Sequence, residues 1–531
     1  MRKHILTAGA GIAIALSAAA CNTDNLTNLN TDPNNPADVP TTTLFTNATA
    51  NATGRWLGGG YDLRMTEFFA QHLAEVQYPD EDAYRRTRAA QTATYFNNGY
   101  ASELEDLTKV LQKNPSDAGI TGPARVMQTW VFGYLTDSWG DIPYFDALKG
   151  SPTAAVETLA PKYDPQKAIY ADFFTVLDKV SKDLQTGATG DLGQSDLIYG
   201  GNLQKWQRFA NSLRARYALR LVNVDPATAS AQLAAAFAAP GGVFTSNADN
   251  AELKWPGDGI YNNPWAQDFS TRDDHRISRV MMEILRSNSD PRLPVLAQKA
   301  VTDGAYRGAP NALNASSEAP YITSASRIGE VLYPGATAAG YFGGGGNAWP
   351  SYLMTYAEVA FIQAEAAARG LGGLTPGQAP AFYAAGITAS MNQWGVTDAT
   401  AISTFLAQPG VAYAPGTPGL TSIAQQKWLA LFTDGGQAWA EWRRTCVPAT
   451  VKPGSYALRA NVPRRLQYST TERSVNDASR LAAVAAMAAA DPGPTATDEY
   501  ELRMYWDSNP SAAPTYFAGC GNRTNAPSPA P

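Results

Sequence analysis

The chain has 531 residues, a formal net charge of −6, 44% hydrophobic and 10% aromatic residues, and a mean hydropathy of −0.26. That balance suits a water-facing protein with a real core and argues against nucleic acid as a partner, because phosphate binding needs a basic face. His4, His72 and His275 are the only histidines, and there is no CxxC and no zinc-ligand spacing, so most metalloenzyme and Ser-His readings start poorly.

Arg2 and Lys3 precede an apolar run from Ile5 to Ala20, which reads as an export signal over residues 1–20. It is too short and too Ala-rich for a membrane span. Cys21 follows immediately, as in the lipobox of bacterial lipoproteins, where two acyl chains give stable anchoring. Ala18 stands where a lipobox usually has Leu, and Ala18-Ala19-Ala20 also reads as an ordinary signal-peptidase site. Lipidation of Cys21 is the favoured reading, since an unpaired N-terminal Cys has no other evident use. Residues 21–40 are Asn, Asp, Thr and Pro with almost nothing to bury, hence a tether, and residues 41–531 are expected to form one body. Cys446 and Cys520 remain as candidates for a disulfide, worth roughly 4 kcal/mol in the chain-entropy model.

Helical patterning begins near Thr41. A helix is expected over Met65–Ala74, followed by a polar, aromatic loop from Val76 to Tyr84, and another over Gln91–Val110 with an interruption at Asn97-Asn98-Gly99. Calcium in the Asp80-Glu81-Asp82 loop has no support from EF-hand spacing. Met127, Trp130, Val131, Tyr134 and Leu135 form one apolar helical stripe, with Thr121 as expected N-cap and an end near Thr136-Asp137 ahead of Gly140 and Pro143. In the corner that follows, Asp137 and Asp141 read either as a catalytic or metal-binding pair or, by turn preference, as caps of turn amides. Helices are also expected to open at Tyr163-Asp164-Pro165-Gln166, with Pro165 in the first turn, and to run over Trp206–Leu221, over Leu353–Ala368 with Gly370 closing it, and over Asp477–Ala490. Arg214, Arg216 and Arg220 read as a solvated or salt-bridged face in preference to an anion site. Between about 235 and 350 the period fades into Gly, Pro, Asn and aromatics. The glycine run there lacks the ending of a phosphate loop.

Several stretches, in one order, carry a family resemblance. Asn30-Thr31-Asp32-Pro33-Asn34-Asn35-Pro36, the run LTDSWGDIPYFDAL (Leu135 to Leu148), Lys205-Trp206 through Arg216 and Asp290-Pro291-Arg292-Leu293-Pro294 come first. Tyr356 through Gly370, Gln426 through Thr445, Pro463-Arg464-Arg465-Leu466 with Tyr468 and Glu472, and Tyr505-Trp506-Asp507 follow. Together they resemble the SusD/RagB family of nutrient-binding outer-membrane lipoproteins, with Ser469 where the family usually has Pro. The resemblance implies an all-α, tetratricopeptide-like helical-pair scaffold with an irregular, loop-rich segment along one side. It also implies a lipid-anchored protein at the surface of a Gram-negative bacterium, touching the membrane only through its anchor. Such a protein captures an oligosaccharide or oligopeptide for a TonB-dependent, SusC-like transporter, with no cofactor.

Sugar recognition needs flat rings for stacking and polar groups at their rim. On that chemistry alone Asp82, Tyr84, Tyr95, Asn97, Asn98, Tyr261, Trp265 and Tyr306, all in loop-like sequence, are the expected ligand residues. Two other readings stay open. One is an exported glycosidase using a carboxylate pair such as Asp137/Asp141 or Glu358/Glu365. The other is a helical scaffold without a small-molecule ligand.

Overall fold

The computed structural model describes residues 38–84, 89–150, 159–332, 346–491 and 500–507. Helix α1 (Thr41–Trp56) opens the body. A π-helical turn, Gly59–Thr66, runs into the short α2 (Glu67–Ala70) and is followed by strand β1 (Leu73–Glu75). The helix expected over Met65–Ala74 therefore stops four residues early. Gln71 turns into the left-handed region (φ 59°), and Leu73, Ala74 and Glu75 pair with β3 (His275–Ile277) across the fold. Helix α3 (Ala89–Asn98) is not broken at Asn97-Asn98-Gly99. It passes through a π-helical stretch, Gly99–Leu104, into α4 (Glu105–Lys113), so the glycine changes the winding without ending the helix.

Helix α5 (Ala118–Trp139) starts earlier and stops later than its sequence suggested. Its N-cap is Asp117, whose Oδ1 accepts the Gly119 N–H at 2.9 Å, and Pro123 lies within the helix. It continues through Trp139 to Gly140, where φ is +84° and an added Cβ would meet Met487 Sδ at 2.7 Å. The stripe is also wider than one face. Phe132, Gly133, Thr136 and Ser138 are buried along with the expected residues, because α5 runs between other helices.

Around it pack α6 (Gln166–Thr186), α7 (Leu203–Arg220) and α8 (Pro226–Phe237). Neighbours in sequence pair in space: α4 with α5, α5 with α6, α6 with α7, α7 with α8. The second half repeats the arrangement with α13 (Tyr356–Ala368), α14 (Ala379–Gln393), α15 (Ala399–Leu406), α16 (Thr417–Ala430) and α17 (Gly435–Thr445). Helix α14 approaches α13 closely through its own glycine: Gly386 lies so near the Phe361 ring of α13 that an added Cβ would meet it at 2.8 Å. The body is thus a predominantly helical scaffold of tetratricopeptide-like pairs.

The segment between the halves carries β2 (Ala251–Leu253), α9 (Pro264–Phe269), β3, α10 (Arg279–Ser287), α11 (Leu293–Leu296), α12 (Tyr321–Ser324) and β4 (Ser351–Met354). Of its two antiparallel pairings, β1 with β3 ties this irregular part to the first half, and β2 with β4 brings its own two ends together. The last described elements are α18 (Thr470–Val475), α19 (Asp477–Ala490) and a 3-10 turn, Tyr505–Asp507. Trp506 of that turn is buried and donates Nε1–H to Asp137 at 2.9 Å. Among the described residues no helix is long and apolar enough to cross a membrane.

Candidate functional site

Beyond β1 the chain makes a tight turn held by one side chain. Glu75 Oε1 accepts the backbone N–H groups of Val76, Gln77 and Tyr78 at 2.9, 2.9 and 3.1 Å. Tyr78 is left 49% exposed, with the Arg272 guanidinium 4.6 Å from its ring centroid. One face of the ring is therefore braced by a cation while the side chain stays half in solvent, which is how a stacking platform is built. Close by is an open cleft lined by Arg64, Phe69, Glu81, Tyr84 and Tyr500, among others. Arg64 Nη2 and Nε donate to Glu81 Oε1 at 2.7 and 3.1 Å, so the rim is a fixed ion pair. An aromatic, apolar floor under a charged rim suits a ligand with flat apolar faces and polar edges.

The expected ligand residues do not all come together here. Tyr84 lines the cleft at positive φ (62°), but its ring is almost fully buried. Asp82 is wholly buried behind it. Its Oδ2 accepts the Glu75 N–H at 3.1 Å, and burial pushes its carboxyl up to about 7. Trp265 is not in a loop. It sits in α9, 2% exposed, and its Nε1–H reaches Asp62 at 3.1 Å. Tyr95, Asn97 and Asn98 likewise belong to α3, where the Tyr95 ring packs edge-on against Tyr61 and Asn97 donates to Thr471 at 3.0 Å. Tyr306 is half-buried against the core, while Tyr261 is 62% exposed. Of the expected ligand residues only Tyr84 lines this cleft, and Tyr78, Arg64 and Tyr500 were not among those named from sequence. The signal that marks Tyr78 is Arg272, distant in sequence and supplied by the strand pairing.

Known proteins bear on this arrangement. The family model described as "Starch-binding associating with outer membrane", SusD-like, matches residues 33–469. The chain belongs to the SusD-like family. No curated protein matches it. Among solved structures, one titled a chitin-binding protein is 26% identical, with a TM-score of 0.74 over 88% of this chain and 100% of that one. A chitin-binding SusD homologue from Flavobacterium johnsoniae is 24% identical, with a TM-score of 0.72 over 88% of this chain and 99% of that one. A SusD homologue from Bacteroides ovatus is also 24% identical, with a TM-score of 0.71 over the same shares.

In this SusD-like chain the acids proposed as catalytic pairs are occupied elsewhere. Asp137 accepts the Tyr170 hydroxyl at 2.5 Å, Trp506 Nε1–H at 2.9 Å and Arg220 Nη1–H at 2.7 Å, rather than the turn amides expected for it. Asp141 Oδ1 accepts the Gln166 N–H at 2.8 Å at the start of α6. Glu358 is bonded by Arg216 Nε–H and Nη2–H at 2.7 and 2.5 Å. Glu365 is held by Arg444 at 2.7 and 2.5 Å and by Arg369 at 2.9 Å. Although burial works the other way, Arg444 and Arg369 keep the Glu365 carboxyl below its usual range. The reading of Arg214, Arg216 and Arg220 as a salt-bridged face holds, with Asp178, Glu358 and Asp137 as partners. Glu441 makes a buried ion pair with Arg444 and Lys427. Arg443 lies on the Trp439 ring, 3.5 Å from its centroid. Asp80, Glu81 and Asp82 do not converge on a calcium site, since Glu81 pairs with Arg64 and Asp82 is turned inward. Cys446, at the left-handed end of α17 (φ 60°), is disulfide-bonded; Cys21 and Cys520 lie outside the described residues.

Proposed function

We propose that this SusD-like protein is a binding lipoprotein that captures an oligosaccharide at the cell surface and passes it to a TonB-dependent transporter. The observation that carries the reading is the Tyr78 ring, braced by Arg272 and flanked by the Arg64–Glu81 cleft on a rigid helical frame. Sugar rings present apolar faces to an aromatic platform and hydroxyls to a charged rim, and capture needs neither bond making nor a cofactor. The structure titled a chitin-binding protein, 26% identical, supports a saccharide over a peptide, and N-acetylglucosamine oligomers are the first class to test. Of the residues named from sequence, Tyr84 lines this cleft and Tyr261 adds an exposed ring on the irregular segment.

Residues 1–20 act as an export signal in this reading, Cys21 is diacylated, and residues 21–40 hold the body off the lipid surface. Cys520 is the proposed partner of Cys446, which would staple the C-terminal segment to α17. The test is calorimetric titration of the soluble chain starting at Asn22 against chito-oligosaccharides, malto-oligosaccharides and short peptides. Saturable binding of one saccharide class, abolished or weakened by Tyr78→Ala, is the expected result. Shortened products in the cell would revive a glycosidase. Absence of binding by any saccharide, in isolation and in complex with the transporter, would reject the reading.

A further inference from the structure

Beneath the Tyr78 turn lies a group of ionisable side chains that ligand capture does not explain. Glu75 and His275 stand directly opposite each other in the β1–β3 pairing. Asp274 Oδ1 lies 2.9 Å from His275 Nδ1. The side chains of Glu75 and Asp274 are 0% exposed and that of His275 is 1% exposed. The imidazole is clamped between two rings, stacked on Phe68 at 5.5 Å between centroids and edge-on to Phe269 at 5.8 Å. Within this buried space two polar atoms, Glu75 Oε2 and His275 Nε2, have no hydrogen-bond partner among the described residues. Buried polar atoms are rarely left so, and each such case calls for an explanation.

Charge points the same way. Glu75, Glu81, Asp274 and the largely buried Asp268 crowd around two guanidiniums, Arg64 and Arg272. Carboxylates outnumber the fixed cations, and an excess of buried negative charge must be met by protons or by a cation. One donor atom from each of Glu75, Asp274 and His275 lies within 4.8 Å of those of the other two. A closure of under about 1 Å would bring all three to roughly 2.1 Å from a single ion. An imidazole nitrogen beside two carboxylate oxygens is a donor set for a divalent transition ion of the zinc or manganese class, and a poor one for calcium.

We propose that Glu75, Asp274 and His275 bind one divalent transition-metal ion that pins β1 to β3 beneath the Tyr78 turn. The ion is structural. Its ligand Glu75 also gathers the three N–H groups that shape the turn, and Arg272, which covers the Tyr78 ring, bonds Asp274. Occupancy would therefore stiffen the aromatic platform from below without touching the ligand, and the site stands whether or not the ligand is a saccharide.

The exported protein, stripped with chelator and dialysed, is titrated with zinc chloride and separately with cobalt(II). One equivalent should bind, raise the melting temperature and slow hydrogen exchange at Val76, Gln77 and Tyr78. Glu75→Gln and His275→Gln should each weaken uptake at least tenfold, while Asp258→Asn on the exposed loop leaves it unchanged. In the cobalt form a paramagnetically shifted imidazole resonance should appear on the unaltered protein, so the answer survives a variant that fails to fold. That resonance must come from His275, because both ring nitrogens of His72 are engaged, Nδ1 with Glu67 at 2.6 Å and Nε2 with the Trp428 carbonyl at 2.9 Å. No saturable uptake, uptake unaltered by both ligand variants, or bound cobalt without a shifted imidazole would overturn the proposal and leave the cluster balanced by protons.

Discussion

Two regions of this protein use the same pairing chemistry to opposite ends. In the helical core, Arg444 with Glu365 and Glu441, and Arg216 with Glu358, are ion pairs whose side chains are at most 2% exposed. At the Tyr78 cleft, Arg64 and Arg272 are 23% and 16% exposed, although their acids are just as buried. In the core both charges lie out of water, so each pair fixes how α7, α13 and α17 meet and removal of one partner strands the other. At the cleft one member keeps a wet edge and can answer a ligand. Burial of the cation, rather than the identity of the pair, separates the frame from the proposed site.

The largest expected effect would come from breaking the core side of that contrast. Arg444→Met leaves Glu365 and Glu441 short of their main cation and should cost about 3–5 kcal/mol in urea unfolding. A loss under about 1 kcal/mol would mean that Lys427 and Arg369 carry the pairing without it.

A second test uses pH. Burial pushes the Asp434 carboxyl up to about 7, where it accepts the Tyr134 hydroxyl at 2.7 Å and caps α17. Its folded value lies above its unfolded value near 4, so its stabilising contribution is complete below about pH 4 and is lost as pH rises through about 7. Asp434→Asn removes this dependence. Measured by unfolding, the stability difference between parent and variant should move in favour of the variant between pH 5 and pH 8, by on the order of a few kcal/mol. A constant difference across that range would show that Asp434 is ionised throughout.

On the cleft side, Tyr78→Ala should weaken saccharide affinity about tenfold, roughly 1.4 kcal/mol, with the melting temperature within about 1 °C of the parent. An equal fall in affinity and stability would move Tyr78 from the site to the frame. The smallest effect belongs to the outer surface. Lys179, 66% exposed and paired with Asp183 one helical turn on, should cost no more than about 0.5 kcal/mol on change to Ala.

Much of the frame is legible in the chain. The helices opening near Pro165, from the Trp206 face and over Asp477–Ala490 lie where periodicity and caps put them, because those signals act within a few residues. The helix expected from Leu353 starts only at Tyr356, since Leu353 and Met354 belong to β4, which pairs with β2. The failures share one cause. Met65–Ala74 has helical periodicity, yet its last residues pair with a strand some two hundred positions away. Trp265 has the composition of a binding loop, yet Asp62 from the π-helical turn draws its indole inward. Tyr78 looks like its neighbours until Arg272 covers it.

By itself, then, the amino-acid sequence determined the helical class, the order of the elements and membership of the SusD-like family. These rest on local spacing and on motifs that survive at low identity. Only the tertiary structure decided which carboxylates are locked in the core, as with Glu358 against Arg216 across 142 positions, and which aromatic ring stands free beside a cation. Burial and long-range pairing are properties of residues brought together by the fold, and one-dimensional spacing carries no record of them.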